Sequence, residues 1–309
     1  MFGRGVFVPT PDPNVRSPAP PVTELGYHAA AMAARRLPLW LSDPIAACLA
    51  DLYVATHPGR ARDVSLRLAR LWSEARAPGR PPGARDTYRA FAEALRDFLA
   101  STGATVGGRP PVRLDPDTAR HLAAARASGA PTVVVSGHFG PWELALQWLA
   151  GEVGPVDALA APHRCGSVER FFRAHREARG VRTLNGARPA AEAIERLRGG
   201  GWIAVLADRA RRSEPPSGSV CGSAPGDRRA GFVPVNSTPL LLARRGRAQI
   251  LAGAAWREGD GAIGIRFHAP FTLAPARGGL DLGRAEQTLQ QFFDAHLLAH
   301  PTQWYDWNR

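Results

Sequence analysis

The stretch Ser136-Gly-His-Phe-Gly-Pro-Trp-Glu143 sets an imidazole and a carboxylate five residues apart across a turn holding two glycines and a proline. Folding at Gly137, Gly140 and Pro141 lets Glu143 meet one nitrogen of His138 and leaves the other free to take a proton from a substrate hydroxyl. A carboxylate so placed fixes the tautomer and stabilises the imidazolium, and a positioned base contributes about 10²–10⁴-fold in rate. Nine His against 27 acids in 309 residues leave roughly one chance match to H-x4-[D/E], so the spacing alone is weak. His138 is nonetheless the only His with an acid at that offset. The bland alternative is a structural His followed by an ordinary acid in a first helical turn, where the helix dipole favours it. Ser136 and His138 lack the G-x-S-x-G elbow of a serine hydrolase. His163 and Cys165 give two metal ligands without a second pair, so no metal and no cofactor are expected.

These residues need a frame. Thr132–Ser136 (TVVVS) reads as a buried strand that ends just before His138, and Trp142–Ala150 as the helix after it. A His at that place stands where open α/β sheets build their sites. Trp202–Ala207 (WIAVLA) is a second buried strand ending at Asp208; Gln249–Trp256 and Ala262–His268 are further strands. Helical spacing marks Arg170–Arg179, Ala187–Arg198, Pro239–Arg245 and Leu282–His300. Before them, His28–Arg36, Pro44–Ala55, Arg60–Ala75 and Arg85–Ala100 are helical, with RAPGRPPG as a loop between the last two. The chain divides into a Pro-rich lead-in (1–25), an N-terminal helical segment (26–105) and an α/β domain (106–309). The Ser-, Pro- and Gly-rich stretch 214–231 reads as a loop.

Composition sets the limits. The 309 residues carry 39 basic and 27 acidic side chains, for a net charge of +12, and every basic one is Arg. Codon bias explains Arg in place of Lys but not the excess, which suits nucleic acid, anionic lipid or an acidic partner. Trp304, Tyr305 and Trp307 lack the interleaved Arg of a nucleic-acid stacking platform, and no nucleic-acid partner is expected. The three Cys are scattered, which fits a reducing compartment. No signal peptide is legible. The apolar stretch from Leu37 to Thr56 carries Asp43, Pro44 and Asp51, so it reads as a core or interfacial helix rather than a membrane span.

SGHFGPWELA resembles the signature block of the lauroyl and myristoyl transferases of lipid A biosynthesis, usually close to H-x-G-N-W-E. Ala207-Asp208-Arg209 resembles that family's second block, 232–251 (FVPVNSTPLLLARRGRAQIL) its helix-then-strand block, and HPTQWYDWNR its closing P-x-Q-W-x-W motif. The helical stretch from Tyr27-His28 resembles its amino-terminal region. The resemblance implies a glycerol-phosphate-acyltransferase-like α/β fold: a mixed, largely parallel sheet flanked by helices, with the N-terminal helical segment packed on it. It implies an enzyme that moves a fatty acyl group from acyl carrier protein to a hydroxyl of a lipid acceptor, at the cytoplasmic face of a bacterial inner membrane. His138 is then the base and Glu143 its orienter. Arg164, Asp208 and Arg209 bind the acceptor's phosphate or sugar, Arg matching phosphate bidentately. Gly140 and Trp142 border the substrate, and the N–H groups near Gly140 or a nearby Arg serve the oxyanion.

Three departures stand out. Pro141 replaces the usual Asn, Val220-Cys221-Gly222 replaces an aromatic-Phe-Gly element, and no N-terminal membrane helix is legible. Bilayer binding is therefore expected to be peripheral, through basic surface and apolar side chains of the N-terminal helices. The alternatives are acylation of a lysophospholipid, an amino-acid lipid or a secondary-metabolite hydroxyl, or a non-catalytic lipid- or partner-binding role.

Overall fold

Val133, Val134 and Val135 are β-branched and almost fully buried, which commits β2 (Thr132–Ser136) to the middle of a sheet covered on both faces. The computed structural model describes residues 24–103, 108–163, 165–209, 232–276 and 279–305. The other strands are β1 (Val112–Leu114), β3 (Val156–Leu159), β4 (Val181–Leu184), β5 (Trp202–Leu206), β6 (Gln249–Arg257) and β7 (Ile263–Phe267). They form one sheet in the order β1-β7-β6-β2-β5-β3-β4. Only the β6–β7 pair is antiparallel. A separate two-stranded ribbon joins β8 (Pro275–Ala276) and β9 (Gly279–Leu280).

The period-2 alternation of β2 sorts the core into two layers. Val133 and Val135 pack with Leu197 of α8 (Pro189–Arg198), Leu240 of α9 (Thr238–Gly246) and Leu289 and Phe293 of α10 (Leu282–Ala299). Val134 turns the other way, toward Leu122 of α5 (Pro116–Ala127) and Leu149 of α6 (Trp142–Val153). Asp115 caps α5 by accepting from the Thr118 N–H at 2.7 Å, and Asp281 caps α10 from Arg284 at 2.8 Å. Helix α7 (Gly166–Glu177) leads into β4. The α/β architecture and its largely parallel sheet match expectation. The sequence reading had not marked α5, β1, β3 or β4, elements of 12, 3, 4 and 4 residues.

Four helices precede the sheet: α1 (Glu24–Arg36), α2 (Leu39–Thr56), α3 (Pro58–Glu74) and α4 (Ala84–Ala100). The expected loop at RAPGRPPG falls between α3 and α4. The lead-in as far as residue 23, the loop at 214–231 and Cys221 lie outside the described residues. Helix α4 is the link to the sheet, and a charge cluster makes the joint. Arg257, at the end of β6, reaches Asp97 (3.1 Å) and Glu93 (2.8 Å) of α4, while Arg96 pairs with Asp43 of α2 at 2.7 Å. Burial of the Asp97 carboxyl outweighs its two arginines and lifts its pKa from 3.8 to about 6. The folded state therefore holds that proton more tightly than the unfolded chain, and the stability it contributes is lost as pH rises from about 4 to about 6.

Above pH 6 the ionised Asp97 draws on both Arg96 and Arg257. Replacing Arg257 by Leu leaves the buried Asp97 carboxylate with Arg96, at 2.8 Å, as its remaining arginine and is expected to cost about 1–3 kcal/mol in urea unfolding at pH 8, and distinctly less at pH 5. Equal losses at the two pH values would contradict this account of the joint.

Candidate functional site

Parallel strands in register bring the residues just beyond their ends side by side. Ser136 of β2 is aligned with Leu206 of β5, and the Ala207 N–H donates to the Ser136 carbonyl at 2.7 Å. His138 and Asp208 each lie two residues further on, and they meet. His138 Nδ1 is 2.8 Å from Asp208 Oδ1, and the His138 backbone N–H donates to Asp208 Oδ2 at 2.9 Å. Because an ionised carboxylate only accepts, Nδ1 carries the proton and Nε2 is left with its lone pair. Burial alone would raise the Asp208 carboxyl, but the imidazole, the backbone N–H and the Trp304 indole hold it below the usual carboxylate range.

The carboxylate on His138 is thus Asp208, expected as an acceptor-binding residue, and not Glu143. The side chain of Glu143 instead accepts from Arg176 of α7, at 3.0 Å from Nε and 2.5 Å from Nη2. The reason is geometric: α6 begins at Trp142, and its first turn faces α7 across a largely buried gap, where a bidentate guanidinium satisfies the carboxylate.

Residues 303–305 close the site like a strap. The Gly140 N–H donates to the Gln303 carbonyl (2.7 Å) and the Tyr305 N–H to the His138 carbonyl (2.9 Å), an antiparallel bridge about Phe139 and Trp304. The Gln303 side chain is fastened to both backbone groups of Arg257, at 2.7 and 2.9 Å. Trp304 Nε1 donates to Asp208 Oδ2 at 2.9 Å. From the other side Asn236 grips the Ala207 carbonyl through its backbone N–H and its side chain, and Nδ2 also reaches the Arg209 carbonyl. The sequence reading matched both blocks by resemblance but gave neither Trp304 nor Asn236 a part in the site. Asn236 carried a signal as the one amide of its run, FVPVNSTPLLL, whereas Trp304, beside Gln303 and three residues from Trp307 in a polar tail, carried none.

The expected oxyanion donor at Gly140 is committed to Gln303, so that N–H is not available to substrate. Trp142 meets the His138 ring edge-on at 5.3 Å. Ser136 Oγ donates to the neighbouring Gly137 carbonyl. Arg209 borders the cavity described below, and Arg164 lies outside the described residues. His163 is a second imidazole held by a carboxylate, with Nδ1 at 2.7 Å from Glu169 and its ring stacked on Phe172 at 4.6 Å. Cys165 is exposed and hydrogen-bonded to Ser167.

His138, Glu143, His163, Arg176 and Arg209 border one cavity of about 570 Å³, whose remaining wall is largely apolar. It extends under α6 along the face of the sheet that carries Val134, past Ala158, Ala204, Ala255, Ile265 and Phe267, with α4 closing it through Phe91, Leu95 and Phe98. Alanines on the sheet leave room that larger side chains would fill. The arrangement sets an imidazole with an open Nε2, able to accept a proton, at the polar end of a largely apolar slot.

Gly140 has φ +46°, and a Cβ there would lie 2.5 Å from the Ala255 carbonyl oxygen. Gly140→Ala therefore combines left-handed strain with a backbone clash and is expected to cost about 2–4 kcal/mol in thermal unfolding. A loss under 0.5 kcal/mol, on the order of a neutral surface change, would mean that the close approach of β6 does not constrain this turn.

Comparison with known proteins bears on the family of the chain. Over 92% of its length the chain is 26% identical to a phosphatidylinositol mannoside acyltransferase of Mycolicibacterium smegmatis, covering 90% of that protein. It is 28% identical over 189 residues to the protein of the same name from Mycobacterium tuberculosis strain H37Rv, an alignment spanning 60% of this chain and 56% of that one. The family model for bacterial lipid A biosynthesis acyltransferases matches residues 26–307. A match that takes in the whole sheet and the helices before it makes this chain a member of that acyltransferase family.

Proposed function

We propose that this lipid acyltransferase moves a fatty acyl group from a thioester to a hydroxyl of a phosphoglycolipid, with His138 as base and Asp208 as its orienting partner. The observation that carries the reading is the 2.8 Å contact between His138 Nδ1 and a carboxylate that has no solvent exposure, beside an apolar cavity. His138 Nε2 takes the proton of the acceptor hydroxyl as its oxygen attacks the thioester carbonyl. The tetrahedral oxyanion collapses with release of the thiolate, which recovers the proton from the imidazolium. Arg176, fixed by Glu143, and the first-turn N–H groups of α6 are the donors suited to the oxyanion. The apolar slot under α6 takes the acyl chain.

The names of the relatives favour a mannosylated phosphatidylinositol acceptor over a lipid A precursor, both being phosphorylated sugar lipids. Arg164 and Arg209 are the residues for such a phosphate or sugar. Acyl carrier protein is the donor that suits a net charge of +12, since an acidic carrier is drawn to a basic surface. The enzyme works peripherally at the cytoplasmic face of the inner membrane. No helix among the described residues is long and apolar enough to span a bilayer.

The test is transfer from radiolabelled acyl carrier protein or acyl-coenzyme A to defined lipids. Asp208→Asn presents an amide donor to Nδ1 and turns the lone pair away from substrate, so kcat is expected to fall about 10³–10⁴-fold. Glu143→Gln, which disturbs Arg176 and leaves the imidazole alone, is expected to cost clearly less. The reverse ranking would assign the orienting role to Glu143. Trp304→Phe removes one charge-assisted hydrogen bond of Asp208 and is expected to lower kcat about 10-fold, with KM nearly constant. A change confined to KM would place Trp304 with the substrate.

A further inference from the structure

His163 lies on the loop that joins β3 to α7, and a directed set of hydrogen bonds fixes its ring. Its backbone N–H donates to Glu169 Oε2 at 2.8 Å, and Nδ1 is 2.7 Å from the same oxygen. Asn185, just past β4, donates its amide to Glu169 Oε1 and accepts from Arg173 through its own oxygen. Burial would raise the Glu169 carboxyl, but the N–H and imidazole of His163 hold it below the usual carboxylate range. An ionised carboxylate only accepts, so each of these bonds points its proton toward Glu169, and Nδ1 of His163 carries one. Nε2 keeps its lone pair. The ring is stacked on Phe172 at 4.6 Å and borders the same cavity as His138. Among the described residues no group meets Nε2.

Strand order places this second imidazole relative to the first. Strands β2 and β3 flank β5, with Val135, Val205 and Leu159 in register. Neighbouring strands lie about 4.8 Å apart, so the loops that leave β2 and β3 stand roughly 10 Å from each other. His138 is three residues beyond Val135 and His163 four beyond Leu159, which sets both over the same end of the sheet with room for a sugar head group between them.

We propose that His163 Nε2 accepts a hydrogen bond from a second hydroxyl of the acceptor's sugar and thereby selects the hydroxyl that meets His138. The tautomer decides the ligand chemistry. A lone pair calls for a donor, which a hydroxyl supplies, whereas a phosphate oxygen would face it acceptor to acceptor. A staple between the loop and α7 needs only the backbone N–H and Nδ1, so the part of the ring that reaches the cavity is left for substrate. A site built to bind a substrate hydroxyl also discriminates against analogues that lack it. The proposal rests on the reading of the acceptor as a sugar lipid and adds the residue that orients its head group.

Two amide substitutions separate a substrate contact from a staple. Asn carries its amide nitrogen to the place of Nδ1, keeping the bond to Glu169, but has no atom at Nε2. Gln carries its amide to the place of Nε2, gives up Glu169 and keeps an oxygen that can accept. The probe is a mannosylated phosphatidylinositol with short acyl chains, titrated by calorimetry without thioester and then used as acceptor of a labelled acyl group. His163→Asn is expected to weaken binding and raise the acceptor KM about 10-fold, to leave kcat and the donor KM nearly constant, and to spread the acyl group over several hydroxyls of the head group. His163→Gln is expected to stay close to the wild type in affinity and to give one product. Wild-type binding and a single product from the Asn variant would overturn the proposal, as would a Gln variant worse than the Asn variant or a wild-type chain that does not bind the probe. Acyl transfer that is indifferent to His163 would leave the acyltransferase reading standing. Binding that depends on His163 in a chain that transfers no acyl group would refute that reading and leave the sugar site supported.

Discussion

A carboxylate with no access to water is the constraint on which the rest of this structure depends. Asp208 is ionised inside a protein, and an isolated buried charge is too costly to persist without donors aimed at it. Among the described residues the imidazole of His138, the His138 backbone N–H and the indole of Trp304 answer that demand. They come from the ends of different elements, so the ion holds together parts of the chain 70 and 96 residues apart. The in-register pairing of β2 with β5, the amide grip of Asn236 and the strap at 303–305 all keep those donors on target.

The same constraint accounts for the division of labour between the two acids of the site. Asp208 serves the base, and Glu143 serves a guanidinium on the opposite wall of the cavity. Pro141, where relatives of this type usually carry Asn, fits the arrangement. It needs no N–H of its own, because the neighbouring N–H of Gly140 is spent on the strap and the helix that follows begins immediately.

Sequence reasoning reached the frame and half of the centre. The runs TVVVS and WIAVLA declare buried strands by β-branching alone, and the long helices by periodicity. His138 was visible because two glycines and a strand end surround it. The partner of His138 was not, since local spacing favours the acid five residues away, whereas the actual contact depends on β2 lying beside β5. That neighbourhood is a property of strand order, which hydrophobic pattern does not encode. The short strands β3 and β4 were missed for a related reason: four residues are too few for a period to show.

The strap has a consequence for the order in which the protein becomes competent. Loops of 70 and 96 residues must close before the ion network is complete, and contacts so distant in sequence form late in folding. During synthesis Asp208 emerges well ahead of Trp304, so the sheet can assemble while its central carboxylate still lacks a donor and the His138 turn still lacks its bridge. The imidazole is therefore aligned only after the chain has folded back on itself. The pair of imidazole and carboxylate is thus a property of the finished molecule and not of its partly made precursors.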